Sequence, residues 1–209
     1  MFLAPHPTSL VRRTFICLVP AFFAAATLAA QQPAPGPVVI QPAADQIAAA
    51  VTALPEDMRA GAAVLGYATL GRLVTLREGK NDMICLAPDP AAKSFHSACY
   101  HKSMEPFMER GRALRAQGVT GAQVDTVRFA EVKSGKIQMP TQPSMLYQIF
   151  GGTFDPATAK VTGGNSLYVT YIPFATAEST GISAKPTDKG PWIMFPGTPK
   201  AHIMYAGKM

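Results

Sequence analysis

The sequence contains few of the residues that most often carry catalysis or bind metal ions. Of its 209 residues, three are cysteine, four are histidine and one is tryptophan. It has no G-x-S-x-G nucleophile elbow, no Walker phosphate loop, no H-E-x-x-H zinc motif and no dinucleotide-binding glycine motif. The enzyme classes that these motifs define are therefore excluded, and no cofactor is predicted.

Charged residues are also sparse, and they do not form a patch of one sign. Lys and Arg number 19 against 13 Asp and Glu, which gives a formal net charge of +6 at pH 7. The basic residues are scattered, and no run of them is interleaved with aromatic residues as nucleic-acid-binding surfaces require. The excess is interpreted as a solvated basic surface, and no nucleic-acid partner is predicted.

The chain lacks an apolar run long enough to cross a membrane, although a shorter one lies near its start. Arg12 and Arg13 precede an apolar run at 15–28, and small residues follow it. The run is shorter than the roughly 20 apolar residues that span a bilayer. This pattern predicts a signal peptide over residues 1–30, no transmembrane segment after its cleavage, and a periplasmic or secreted protein.

Two cysteines remain once the predicted signal peptide, which contains Cys17, is removed. Export places Cys85 and Cys99 in an oxidising compartment, so a disulfide between them is predicted. A closed loop of about 15 residues would stabilise the fold by roughly 3 kcal/mol. The alternative is a metal site that adds His96 and His101, but this spacing matches no closed zinc pattern. No metal is predicted.

The remaining chain is predicted to form a proline-rich tether at 31–42 and a single α+β domain at 43–209. Four prolines lie in the tether. The domain shows strand patterns, then two helical patterns, then strands again. We expect an antiparallel sheet of about six strands, with the helices packed on one face and one disulfide. Strand patterns lie at 61–69, 73–76, 83–86, 145–150, 167–172, 192–195 and 202–205, and the clearest of them is 167–172.

Two local structures near the cysteines are predicted in more detail. The strands at 73–76 and 83–86 flank residues 77–82, whose Gly, Asn and Asp suit a turn, so we expect them to pair as a β-hairpin. Ser103 precedes an apolar stripe of helical spacing and is predicted to cap that helix.

The C-terminal segment contains the strongest candidate for a binding residue. Pro196 and Gly197 suit the centre of a type II turn, and His202 follows on a predicted strand. Strand alternation places His202 and Met204 on one face. Histidine and methionine together form a plausible copper site, whereas a hydrogen-bonded histidine and a core methionine are the commoner outcome. The candidate binding residues are His202, Met204, His96 and His101.

Two segments resemble a family of uncharacterised secreted bacterial proteins of similar length. The first is LREGKNDMICLAPD (residues 76–89) with the second cysteine after it, and the other is GPWIMFPGTPKAHIM (residues 190–204). The resemblance implies the same fold and the same exported location, but no activity. The family has an aspartate just after the second cysteine, where this chain has His101. The resemblance therefore favours Cys85, Cys99 and His202 over His101.

Two functions of different classes are consistent with the sequence. The first is a non-catalytic exported module that binds a small molecule or an envelope protein. The second is a metal- or histidine-dependent enzyme whose site lies around His202 and the Cys85–Cys99 loop, with His96 and carboxylates such as Asp82 or Asp89. A cleft in which these groups converge would favour the enzyme, and an apolar cleft without them would favour the binding module.

Overall fold

A computed structural model describes residues 37–187 and 190–207, so the predicted signal peptide lies outside the described residues. The helices are α1 (Ala43–Ala50), α2 (Glu56–Arg59), α3 (Glu105–Ala116), α4 (Ala122–Lys133) and α5 (Ala177–Thr180). Two 3₁₀ turns, Val51–Ala53 and Lys102–Met104, follow α1 and precede α3. The strands are β1 (Ala63–Thr69), β2 (Arg72–Arg77), β3 (Met83–Leu86), β4 (His96–His101), β5 (Ser144–Phe150), β6 (Thr153–Asp155), β7 (Lys160–Thr162), β8 (Asn165–Tyr171), β9 (Trp192–Met194) and β10 (His202–Gly207).

Eight of these strands form one sheet, and the predicted α+β class is confirmed. The strand order is β2-β1-β3-β4-β5-β8-β10-β9, while β6 and β7 form a separate hairpin. The sheet therefore has eight strands rather than about six. It is also mixed rather than antiparallel throughout, because β1 and β3 run parallel. No helix in the described part of the chain is long and apolar enough to cross a membrane.

The predicted pairing of the strands around residues 77–82 is wrong, because β1 lies between β2 and β3. β1 turns back onto β2 through Gly71, whose φ of +74° is favourable only for glycine. After β2, the backbone N–H groups of Lys80 and Asn81 donate to the carbonyl of Gly61, just before the start of β1. The chain thereby passes the start of β1 and reaches its other side. The apolar β1, with Val64 fully buried, takes the inner position that the arginine-bearing β2 does not.

Helices cover both faces of the sheet, not one face as predicted. Ala50 at the end of α1 packs with Cys85 and Cys99 on one face. Phe107 of α3 packs with Tyr100 and other residues of the opposite face. Strand β4 reflects this arrangement, because four consecutive residues of it, 97–100, are buried. Consecutive side chains of a strand point to opposite faces of the sheet, so they can all be buried only when both faces are covered.

The predicted disulfide between Cys85 and Cys99 is confirmed, and it lies in the core. The two residues are directly opposite each other on the antiparallel strands β3 and β4, with Cα atoms 4.0 Å apart. Both are completely buried beneath the end of α1, where Cys99 Sγ lies 3.3 Å from the carbonyl oxygen of Ala50. The cross-link therefore joins two central strands and is shielded from solvent.

The prediction that Ser103 caps the following helix is wrong. The chain enters a 3₁₀ turn before α3, and the N-cap of that turn is His101, whose ring nitrogen Nδ1 accepts a hydrogen bond from the backbone N–H of Ser103. A histidine acceptor thus replaces the predicted serine acceptor. The side chain of Ser103 is left to bond other groups.

Candidate functional site

A cleft of about 430 Å³ lies beside α1 and is lined by three segments that are distant in sequence. We call it the acidic cleft. Its walls come from the chain before and within α1, from the loop between the two cysteines, and from the β6–β7 hairpin. The lining residues are Val39, Ile40, Gln41, Asp45, Gln46, Ala49, Pro88, Asp89, Pro90, Phe95, Phe154 and Pro156. Most of them are apolar, as in small-molecule sites.

Two stacked aromatic rings form one wall of the acidic cleft. The rings of Phe95 and Phe154 have centroids 5.9 Å apart and planes inclined by 14°. Prolines at 88, 90 and 156 also line the cleft, and their fixed φ angles stiffen the loops that carry them. The cleft therefore presents a flat aromatic surface on comparatively rigid loops, which suits an aromatic or other apolar ligand.

Two carboxylates, Asp45 and Asp89, supply the only charges among the lining residues. Asp89 Oδ1 accepts a hydrogen bond of 2.9 Å from the backbone N–H of Ala91, which holds its side chain in the loop. Burial, and then the Asp89 carboxylate, raise the pKa of Tyr67. No Lys, Arg or His lines the cleft. The charged side chains of its lining are therefore all negative, which favours a cationic group on the ligand.

The side chain of Gln46 holds the wall of the acidic cleft against the sheet. Its Nε2 donates to the carbonyls of Gln41 and Tyr67, at 2.8 and 3.0 Å, and its Oε1 accepts from the Tyr67 N–H at 2.7 Å. A Cβ at Gly66 would lie 2.3 Å from Leu76 Cδ1 and 2.6 Å from Gln46 Oε1, so a larger residue there would displace both side chains. The start of α1 and the last residues of the predicted tether are thereby held in place.

The structure does not bring the three predicted histidines together. His96 begins β4 and contacts Gln148, whereas His101 ends the same strand. At the usual rise per residue of a strand, their Cα atoms are about 17 Å apart. His202 lies on β10, three strands from β4 in the sheet, or about 14 Å. Among the described residues, no group of three or more His, Cys, Asp or Glu side chains is placed to bind a metal ion.

His202 and Met204 are packing residues of the face covered by α3 and α4. His202 is 6% exposed, its Nδ1 donates to the carbonyl of Lys200 at 2.7 Å, and its ring lies 5.0 Å from that of Tyr171. Met204 is partly buried against the core cluster that contains Tyr171. Neither residue lines the acidic cleft. The hydrogen bond to Lys200 is of the kind that buried histidines commonly make.

The burial of His202 predicts a pH-dependent stability. Burial lowers the pKa of His202 from its ordinary value of 6.5, an effect that the hydrogen bond to Lys200 opposes and the Lys200 charge reinforces. The unfolded chain therefore takes up a proton at His202 at a higher pH than the folded chain. The free energy of unfolding should fall between about pH 7 and pH 5, by at most about 1.4 kcal/mol per pH unit from this residue.

Urea-induced unfolding of wild type and His202→Gln across this pH range tests that prediction. The glutamine amide can still donate to the Lys200 carbonyl, but it does not titrate. The variant should therefore show a shallower pH dependence than wild type. Parallel curves for the two proteins would contradict the assignment.

The sequence did not predict the acidic cleft. Of its lining residues, only Asp89 is a candidate from the sequence, as a carboxylate of the alternative enzyme site, and Phe95 is not among the candidates. The sequence does contain one indication of the cleft. The loop between the two cysteines holds an acidic and an aromatic residue close to prolines. The contributions of Asp45 and Phe154 depend on long-range packing.

Comparisons of the chain with protein-family models, with curated proteins and with solved structures returned no match. The resemblance to uncharacterised secreted proteins therefore stays a prediction.

Proposed function

We propose that the protein is an exported, periplasmic or secreted, module that binds a small molecule in the acidic cleft. The ligand class is an apolar, preferably aromatic, body that carries a cationic amine. The observation that carries the proposal is the combination of a stacked Phe95–Phe154 wall with two carboxylates and no basic residue in one preformed cleft.

Charge and shape support this ligand class. The flat rings of Phe95 and Phe154 give contact area for an apolar group, and burying such a group contributes about 1.5 to 3 kcal/mol. An ammonium group near Asp45 or Asp89 adds roughly 1 kcal/mol in this partly open site. An anionic ligand would meet repulsion from both carboxylates.

The chemistry of the lining supports binding rather than catalysis in this cleft. Its residues include no Ser, Thr, Cys, Lys, His or Tyr, so a hydroxyl, thiol or amine nucleophile is not present among them. The predicted signal peptide and the buried disulfide are consistent with export to an oxidising compartment.

Three ligands of matched size separate the contributions of charge and apolar contact. We expect phenethylammonium to bind most tightly, neutral 2-phenylethanol more weakly and anionic 3-phenylpropionate most weakly, as measured by NMR chemical-shift titration. Asp89→Asn should weaken binding of the ammonium ligand about fivefold, which corresponds to about 1 kcal/mol, and should leave the alcohol unaffected. Phe95→Ala should weaken all three ligands.

Asp57→Asn is the matched control, because Asp57 is an exposed carboxylate of α2 that does not line the acidic cleft. It should bind all three ligands as wild type does. Equal binding of the ammonium and the carboxylate, or binding that survives Phe95→Ala and Asp89→Asn together, would refute the proposed site.

A further inference from the structure

A second cleft, of about 560 Å³, contains a serine hydroxyl in direct contact with a histidine. We call it the serine cleft. Ser103 Oγ lies 2.8 Å from His101 Nδ1, and both residues line the cleft. A hydroxyl hydrogen-bonded to an imidazole nitrogen is the basic requirement for a serine nucleophile that is activated by a general base.

The backbone determines which nitrogen of His101 faces the hydroxyl as an acceptor. The N–H of Ser103 donates to His101 Nδ1 at 3.3 Å, so Nδ1 carries a lone pair and the proton of the neutral ring is on Nε2. The hydroxyl of Ser103 then donates to the same nitrogen. His101 is thus held in the tautomer that can accept the serine proton.

Two further groups lie beside this pair. The carboxylate of Asp82 lies 3.8 Å from Nε2 of His101, on the side of the ring opposite Ser103, and its other oxygen binds Lys102 at 2.7 Å. The hydroxyl of Ser144, which is 3% exposed, lies 2.8 Å from Ser103 Oγ. A carboxylate, an imidazole and a hydroxyl occur here in the order of a catalytic triad, although the two ring nitrogens are exchanged and the carboxylate lies beyond hydrogen-bond distance of the ring.

The lining of the serine cleft indicates which substrates fit. Apart from His101, its residues are prolines, Gln138, Met139, Thr141, Gln142 and the two serines, with no Asp, Glu, Lys or Arg. An uncharged substrate is therefore favoured. Ser103 is partly exposed, which gives water access for hydrolysis.

We propose that Ser103 and His101 form a nucleophile and general base that hydrolyse uncharged esters in the serine cleft. This activity goes beyond ligand binding in the acidic cleft and does not depend on it. Ser103 and His101 are the catalytic residues, and Asp82 and Ser144 are positioning residues.

The reaction balances without a cofactor. Ser103 Oγ bonds to the ester carbonyl carbon while its proton moves to His101 Nδ1. The bond from that carbon to the alcohol oxygen then breaks, and the alcohol leaves with the proton from Nδ1. Water attacks the acyl-serine, gives one proton to Nδ1 and releases the carboxylic acid, and Ser103 Oγ regains that proton. The products are one acid and one alcohol.

Labelling with a fluorophosphonate tests the nucleophile directly on the purified protein. Ser103 Oγ should displace fluoride from phosphorus, with loss of hydrogen fluoride, and peptide mass spectrometry should locate the adduct on Ser103. His101→Asn should slow labelling by at least about 100-fold, since general-base catalysis is lost. The asparagine oxygen can still accept from the Ser103 N–H. The variant therefore removes the general base but keeps the N-cap hydrogen bond.

Further variants complete the test, with hydrolysis of p-nitrophenyl acetate as the second measurement. Ser103→Ala should abolish labelling, and Ser94→Ala, which alters an exposed serine outside the cleft, should not. Asp82→Asn should lower the hydrolysis rate, and Asp82→Glu should restore part of it, which a merely structural loss would not show. No adduct on wild type, an adduct on another residue, or unchanged labelling of a folded His101→Asn variant would overturn the proposal.

Discussion

The double variant Cys85→Ala, Cys99→Ala should lose about 3 to 5 kcal/mol of unfolding free energy. The disulfide closes a loop between residues 14 positions apart, and removing it returns conformational freedom to the unfolded chain. Both sulfurs are also completely buried beneath α1, so their removal leaves unfilled space in the core between β3, β4 and α1. Urea-induced unfolding of the two proteins measures the difference.

Adding a reductant distinguishes the contribution of the cross-link to stability from that of core packing. Wild type unfolded in urea with dithiothreitol should lose most of this stability, whereas the double variant should be unaffected by the reductant. The native wild-type protein should show no thiol at Cys85 or Cys99, even after unfolding in urea without reductant, because the two sulfurs are bonded to each other. Two thiols in the native protein, or a double variant as stable as wild type, would contradict the prediction.

Arg128→Ala should cost about 3 to 5 kcal/mol, because Arg128 is a buried cation on which several groups depend. Its residue is 4% exposed, its guanidinium donates to the carbonyl of Phe107 and to Asp125, and it lies 3.8 Å over the ring of Phe107. Asp125 in turn binds Lys200 in the β9–β10 connection. Removing the guanidinium therefore loosens the contact of α4 with α3 and leaves a cavity. It also leaves the buried carbonyl of Phe107 without this donor.

Arg110→Ala is the matched control, since Arg110 also links α3 to α4. It forms two hydrogen bonds with Glu131, but its side chain is 28% exposed, so its loss should cost about 1 kcal/mol or less. Arg128→Lys should lie between the two, because a lysine keeps the charge but not the forked donor geometry. Thermal and urea unfolding measure all three variants. Equal losses for Arg128→Ala and Arg110→Ala would refute the argument from burial.

The position of β1 shows how far local pattern can predict a sheet. The strand at 167–172 is rich in β-branched and aromatic residues, and β8 (Asn165–Tyr171) forms there. The strands at 73–76 and 83–86 also form, but not as a pair, because an earlier strand lies between them. Strand propensity resides in a few neighbouring residues, whereas pairing depends on which distant strand buries the most apolar surface.

His101 and Ser103 illustrate the same limit for chemistry. The two residues are close in sequence, yet the pattern predicts Ser103 as a helix cap and His101 as a binding residue. Only the turn of the chain after β4 aims Nδ1 at the hydroxyl, and only β5 brings Ser144 to it. Motifs identify chemistry when spacing alone determines geometry, and here it does not.

The sequence by itself determined the properties that depend on composition and local pattern. These are the α+β class, most element positions and the Cys85–Cys99 pairing, for which only two cysteines remain after the predicted signal peptide. Tertiary structure alone decided the strand order, the helices on both faces, the separation of the three histidines and the two clefts. Each of these depends on contacts between residues far apart in the chain. Such contacts form in the arrangement in which the whole core buries the most apolar surface. No single segment of the sequence determines that arrangement.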